Sequence, residues 1–193
     1  MKKINNFLFQ NRAKKYLNTN IREHRFVNYE KAKTILLLFE SDFSEKNLQI
    51  RKIIHKLQQD GKKVCAWGFI DKKEVLTSIL PEFRILHHKE TDSFKKPLPS
   101  YINELDSLEF DLLLDLTLNP IVPLQYIALY ANVLCKIGIK KTDLPIYDFM
   151  LDVDNISSPI ATSDTSDTTN NKIDEIYLFN QIIFYLKSIQ TND

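Results

Sequence analysis

Glycine is scarce in this chain, with 3 residues in 193: Gly61, Gly68 and Gly138. A phosphate-binding P-loop needs two glycines within one short window, and a dinucleotide-binding fingerprint needs three. Because no glycines in the chain have these spacings, both motifs are excluded. The sequence also lacks the Gly-x-Ser-x-Gly elbow that holds the nucleophile of many hydrolases. We therefore assign no catalytic residue.

Cysteine and histidine are also few. Cys65 and Cys135 both lie in apolar, strand-like runs, where a free buried thiol is the usual state. His87 and His88 are adjacent in a predicted strand, so their side chains point to opposite faces and do not easily share one metal ion. We expect no metal and no cofactor.

Long hydrophobic runs are missing as well. The longest apolar tract, 121–135, is interrupted by Pro123, Gln125 and Asn132, and it falls short of the roughly 20 residues of a membrane span. The apolar stretch near the N-terminus is too short for a signal peptide. We expect a cytoplasmic protein without a transmembrane segment.

The net charge of +1 argues against a nucleic-acid-binding protein. This balance hides an asymmetry, because residues 1–33 carry a net +7 and residues 151–193 a net −5. One interpretation is two solvated faces that attract each other. The alternative is a basic N-terminal helix that contacts an anionic membrane surface or an acidic partner.

Short apolar runs alternate with helical patterns along most of the chain. Asp42 and Glu45 have capping-box spacing, so a helix is expected to begin there and to stop at Asp60-Gly61. The other predicted helices cover 4–17, 72–79, 101–107, 120–133 and 173–190. Pro120 suits the first helical position of the 120–133 helix, although Pro123 could move its start. The predicted strands cover 35–39, 63–70, 83–87, 111–117, 135–139 and 147–153.

This alternation predicts a fold of the α/β class. It is typical of a Rossmann-like, doubly wound, mostly parallel six-stranded sheet with the strand order 3-2-1-4-5-6. We expect a single domain over residues 1–193. Its parts are a basic helical arm (1–33), the core (34–154), a Ser/Thr/Asp-rich loop (155–172) and an apolar packing helix (173–190).

In this order the chain reverses direction between the first and fourth strands, and ligands of such sheets bind at the carboxyl ends of those strands. The candidate ligand-binding side chains at this rim are Ser41, Asp42, Ser44, Asp115, Thr117 and Asn119. Gathered carboxylates could act as a general base or hold a divalent cation. The competing interpretation is structural: Asp42 caps a helix, and Asp115 and Asp152 accept hydrogen bonds from loop amides.

The predicted last helix is apolar around most of its circumference, so it must be covered on several sides. Either its own domain covers it, or a second copy of the chain does. The candidate residues of a homodimer interface are Tyr177, Phe179, Ile183 and Phe184.

Three stretches, FDLLLDLTLNPIVPLQYIALYANVLCKIGI, YDFMLDV and IYLFNQIIFYLKSIQ, resemble an uncharacterised bacterial family, a domain of unknown function. Residues 110–139 also resemble the acceptor-side half of heptosyltransferase-type glycosyltransferases, enzymes that need a second Rossmann-like domain for the nucleotide sugar. Two functional hypotheses follow. One is a non-catalytic binding or interaction module, and the other is a small-ligand enzyme or half-transferase that uses the rim.

Overall fold

The sheet and its helices follow the alternation of the sequence. The computed structural model describes residues 2–42, 45–71, 83–152 and 173–188. The strands are β1 (Thr34–Glu40), β2 (Lys63–Ile70), β3 (Arg84–His87), β4 (Glu109–Asp115), β5 (Asn132–Ile139) and β6 (Phe149–Leu151). The helices are α1 (Lys2–Thr19), α2 (Glu45–Gln59), α3 (Pro99–Asp106), α4 (Val122–Tyr130) and α5 (Glu175–Ser188). The predicted helix over 72–79 and the predicted loop over 155–172 lie outside the described residues.

The six strands form one sheet in the order β3-β2-β1-β4-β5-β6. Every pair of neighbouring strands is parallel. The predicted doubly wound α/β fold is therefore confirmed. The carboxyl ends of all six strands meet at one edge, and the chain reverses its winding direction between β1 and β4.

The sheet is buried on both faces, because side chains of a strand alternate between its two sides. In β1, Ile35, Leu37 and Phe39 pack into a cluster with α2 and α5. Leu36 and Leu38 pack into a second cluster with α1, α3 and α4. Two helical layers thus enclose the apolar strand.

The basic N-terminal helix packs on the domain. Phe9 and Ala13 of α1 are fully buried. Phe9 makes an edge-to-face contact with Tyr126 of α4, with ring centroids 4.9 Å apart, and Tyr16 makes a similar contact with Tyr130 at 4.8 Å. α1 therefore belongs to the helical layer on one face of the sheet.

Helix α4 is shorter than the predicted range of 120–133. It begins at Val122, because Pro123 suits the first helical turn, where its missing N–H is not needed. It ends at Tyr130, and Asn132 already opens β5. None of the described helices has the length and apolar character needed to span a bilayer.

Candidate functional site

The carboxyl edge of the sheet holds a buried polar cluster that surrounds Asp115, the last residue of β4. The Oδ1 atom of Asp115 accepts hydrogen bonds from the backbone N–H of Thr117 at 2.9 Å and from its hydroxyl at 2.6 Å. The Oδ2 atom accepts from Lys141 Nζ at 2.7 Å and from the Tyr147 hydroxyl. Lys141 also donates to the Thr117 hydroxyl oxygen. We call these four residues the Asp115 cluster.

The Asp115 cluster is buried and closely packed. The side chains of Asp115 and Lys141 are 1% and 2% exposed. Gly138 of β5 allows the close packing, because a Cβ atom there would lie 3.0 Å from the Tyr147 ring and 3.2 Å from the Asp115 Cβ atom. The cluster holds the segment after β5 against the end of β4.

The electrostatics of the Asp115 cluster favour a fixed network over proton transfer. Burial, together with the neighbouring Asp115 carboxylate, raises the pKa of Tyr147 well above its usual value. The phenol therefore stays protonated and donates to the carboxylate. Both carboxylate oxygens are occupied by donors, so Asp115 has little capacity to act as a general base for a bound substrate.

The candidate rim residues separate into different local networks. Asp115 and Thr117 lie together in the Asp115 cluster, as described above. Ser41 is buried and donates from its hydroxyl to Asn47 Oδ1 at 3.0 Å. Asp42 Oδ2 lies 3.5 Å from the backbone nitrogen of Lys46, near the start of α2. Asn119 is exposed, and Ser44 lies outside the described residues.

Two buried amide groups near this edge lack hydrogen-bond partners among the described residues. They are Nδ2 of Asn47, in the first turn of α2, and Oε1 of Gln125, in the first turn of α4. Asn47 is 4% exposed and Gln125 is 2% exposed. An unpaired buried amide destabilises a fold by about 1–3 kcal/mol, so these two atoms are unusual features of the edge.

Sequence reasoning missed Lys141 and Tyr147. Lys141 is the second residue after β5, and β5 neighbours β4 in the predicted strand order. Since the carboxyl ends of neighbouring parallel strands meet, this position could have indicated a cation near Asp115. Tyr147 gave no such signal, because its placement depends on the path of the segment between β5 and β6.

A second polar cluster fixes the segment between α1 and β1. Both carboxylate oxygens of Asp148 accept hydrogen bonds from Arg22 Nη2 at 2.6 Å, and His24 Nδ1 contacts the same carboxylate. Arg22 also donates to the carbonyl oxygens of Val133 and Leu134. These bonds attach the middle of the basic arm to the β5–β6 side of the sheet.

Lys136 of β5 lies beside that cluster and is 3% exposed. Its ammonium donates to the carbonyl oxygens of Ala128 at 2.7 Å and Leu129 at 3.2 Å, in the last turn of α4. Burial, assisted by the nearby Arg22 charge, lowers the pKa of Lys136 to about 7. Its contacts are those of a cap on the helix C-terminus.

The two thiols are in unreactive surroundings. Burial raises the pKa of Cys135 to about 11, and burial also raises the pKa of Cys65. Both are free cysteines. In the part of the chain that the structure describes, no group of three or more His, Cys, Asp or Glu side chains could hold a metal ion.

The four candidate interface residues of α5 differ in exposure. Tyr177 is 37% exposed and Phe184 is 65% exposed. Ile183 is half-buried. Phe179 is 5% exposed and belongs to the apolar cluster between α5, α2 and the sheet. Its own domain covers Phe179, so only the outward face of α5 is available to a partner.

Strand order, parallel pairing and a polar cluster at the carboxyl edge place this protein among the doubly wound α/β proteins. The chain belongs to DUF6913, a family of unknown function, whose family model matches residues 5–164. This confirms the resemblance to an uncharacterised family. No curated protein and no solved structure matches the chain. The likeness of residues 110–139 to glycosyltransferases therefore rests on sequence alone.

Proposed function

We propose that this protein is a non-catalytic interaction module whose partner is a second copy of the same chain. The observation that carries the proposal is an exposed aromatic surface on α5 and the neighbouring edge strand β6. Its exposed members are Tyr177, Phe184 and Tyr185 of α5, and they adjoin Phe149 of β6, which is half-buried and also packs against the core. We call these four residues the aromatic patch. The family match ends before α5 begins, so the proposal rests on the geometry of this chain.

The aromatic patch is partly preorganised. The rings of Phe184 and Tyr185 lie 5.6 Å apart, and those of Tyr185 and Phe149 lie 5.7 Å apart. Tyr177 lies two helical turns before Phe184 on the same side of α5. Aromatic rings that already contact one another lose little side-chain entropy on binding, which favours association.

The charge of the outward face favours a second copy as the partner. Around Phe184, the residues of this face are Tyr177, Asn180, Gln181 and Ser188, all of them uncharged. A two-fold interface brings the same surface patch of each subunit together, so a charged face would repel itself. Asp174 and Lys187 flank this face. Asp174 accepts a hydrogen bond from the Tyr177 N–H at 2.8 Å, and Lys187 Nζ lies 3.8 Å from Glu30 of its own chain.

The carboxyl edge supports the non-catalytic part of the proposal. At that edge, Asp115 is buried and its oxygens are occupied by Thr117, Lys141 and Tyr147. A general base must reach a proton of its substrate directly or through one water. The Asp115 carboxylate meets neither condition without disruption of its ion pair.

Sedimentation equilibrium tests the proposal. The wild-type protein is expected at about twice the chain mass of 22.7 kDa, and Phe184→Ser is expected to shift it toward the monomer. Phe7→Ser is the matched control, because Phe7 on α1 is 63% exposed against 65% for Phe184. A monomeric wild-type protein, or equal dissociation in both variants, would refute self-association through α5.

A second candidate is binding of a polar ligand at the carboxyl ends of β1 and β4. The unpartnered Asn47 Nδ2 and Gln125 Oε1 favour it, because unsatisfied groups occur where a ligand completes the hydrogen bonds. An acceptor saccharide is the probe that the glycosyltransferase likeness suggests, because residues 110–139 resemble the acceptor-side half and the nucleotide sugar binds the other domain of those enzymes. The expected result is a ligand-induced rise in Tm that Gln125→Met abolishes. No rise, together with a Gln125→Met variant more stable than wild type, would contradict this candidate.

A further inference from the structure

Helix α1 has an outward face that combines apolar and basic residues. Residues 2–22 include six basic residues and no acidic one. On this helix, Ile4 is 60% exposed and Phe7 is 63% exposed, whereas Phe9 and Ala13 on the opposite side are fully buried. The apolar side chains of the outward face therefore contribute nothing to the domain core.

Exposed lysines flank these two apolar residues. Lys3, Lys14 and Lys15 are all exposed, and helical spacing places them around Ile4 and Phe7. We call these five residues the α1 outer face. Arg12 is excluded from it, because Arg12 donates to the Tyr126 hydroxyl at 3.4 Å and lies over the Phe94 ring.

From this arrangement we infer that the α1 outer face binds the surface of an anionic lipid bilayer. Apolar side chains on such a helix insert below the headgroups, and lysines around them contact the anionic phosphates. Two exposed apolar residues within a ring of lysines fit that layered environment. An acidic protein would account for the lysines and leave Ile4 and Phe7 without a partner.

The acidic groups near α1 lie toward its inner side. Asp92 acts electrostatically on Arg12, and Asp106 acts on Tyr16. Arg12 and Tyr16 both contact residues of α4. The potential of the outer face is therefore set mainly by its own lysines, each of which strengthens binding to an anionic surface by about a factor of five.

Vesicle co-sedimentation of the full chain tests the inference. The probes are phosphatidylcholine vesicles and vesicles with about one-third phosphatidylglycerol, at low and high salt. We expect binding to the anionic vesicles alone, weakened by salt. The variant Lys14→Gln/Lys15→Gln is expected to reduce partitioning roughly 30-fold, and Phe7→Ser about tenfold.

Two matched controls localise the contact. Lys52→Gln/Lys56→Gln removes two exposed lysines from α2, on the other face of the sheet, and Phe184→Ser removes an exposed ring from α5. Both are expected to bind vesicles as the wild type does. Because Phe184→Ser acts on the proposed dimer and Phe7→Ser on the proposed membrane contact, failure of one proposal is distinguishable from failure of the other.

Three results would overturn the inference. The first is no binding to anionic vesicles at low salt. The second is binding that Phe7→Ser leaves unchanged, which would indicate charge adsorption without insertion. The third is equal loss of binding in the α2 lysine variant. Circular dichroism of each variant checks that the helix content of the chain is unchanged.

Discussion

Removal of the Lys141 ammonium is expected to destabilise the protein strongly. Lys141 Nζ lies 2.7 Å from Asp115 Oδ2, and both side chains are almost completely buried. Lys141→Met keeps the apolar stem of the side chain and leaves the Asp115 carboxylate without its counter-ion. Loss of one partner of a buried ion pair costs about 3–5 kcal/mol, a fall in Tm of roughly 10 °C for a chain of this length.

Urea unfolding measures this effect, and a double-mutant cycle assigns it to the pair. Asp115→Asn removes the charge and keeps one acceptor oxygen, which can still serve the Thr117 donors, while its Nδ2 faces Tyr147. In the double variant with Lys141→Met no charge is left unpaired, so its loss of stability is expected to fall short of the sum of the single losses by about 2 kcal/mol.

The control for this prediction is an exposed ion pair. Lys187 lies 3.8 Å from Glu30, and both side chains are substantially exposed. Lys187→Met is expected to change the free energy of unfolding by less than about 1 kcal/mol. An effect of Lys141→Met as small as that of the control would contradict the conclusion that the Asp115 cluster holds the segment after β5 against the end of β4.

Three further predictions concern other parts of the fold. Lys136 has a pKa of about 7 in the folded protein, below its pKa in the unfolded chain, so between about pH 7 and about pH 10 the unfolded state binds more protons than the folded state. Over that range, urea unfolding is expected to show the free energy of unfolding of the wild type rising relative to that of Lys136→Met. A pH-independent difference would contradict this. Burial opposes ionisation of Asp111, yet hydrogen bonds from Lys33 and Thr34 lower its pKa overall. Asp111→Asn is therefore expected to lower the free energy of unfolding by about 1–2 kcal/mol near neutral pH, and this loss is expected to shrink as the pH falls below about 4. The same cost at both pH values would exclude a role for the charge. Gly68→Ala would place a Cβ atom 2.6 Å from the buried Phe39 ring and is expected to lower the free energy of unfolding by about 1–3 kcal/mol, measured by thermal unfolding. An unchanged stability would show that Phe39 can shift to accommodate the added methyl group.

The fold was largely predictable, because its strands are short apolar runs with two buried faces. The β1 run ILLLF follows this pattern, and β2 was predicted with the bounds that the structure gives. The start of α4 was less predictable, since two prolines compete for the first helical turn. Pro123 is buried in the first turn whereas Pro120 is exposed before it, and no local sequence pattern records that difference.

The site was predictable only where it depends on strand ends. Asp115 ends β4 and Thr117 lies two residues beyond it, so strand order alone placed them at the carboxyl edge. The partners of Asp148 could not be found in this way. Arg22 and Asp148 are 126 residues apart in sequence, and their contact depends on how the segment between α1 and β1 crosses the domain.

A single engineered cysteine tests most directly whether the outward face of α5 joins two copies. Asn180→Cys places a thiol on that face, and Asn11→Cys places one on the exposed side of α1. Under mild oxidation, Asn180→Cys is expected to form a disulfide-linked dimer, while Asn11→Cys and the wild type remain monomeric on a non-reducing gel. Equal cross-linking of both variants, or none in Asn180→Cys, would contradict self-association through α5.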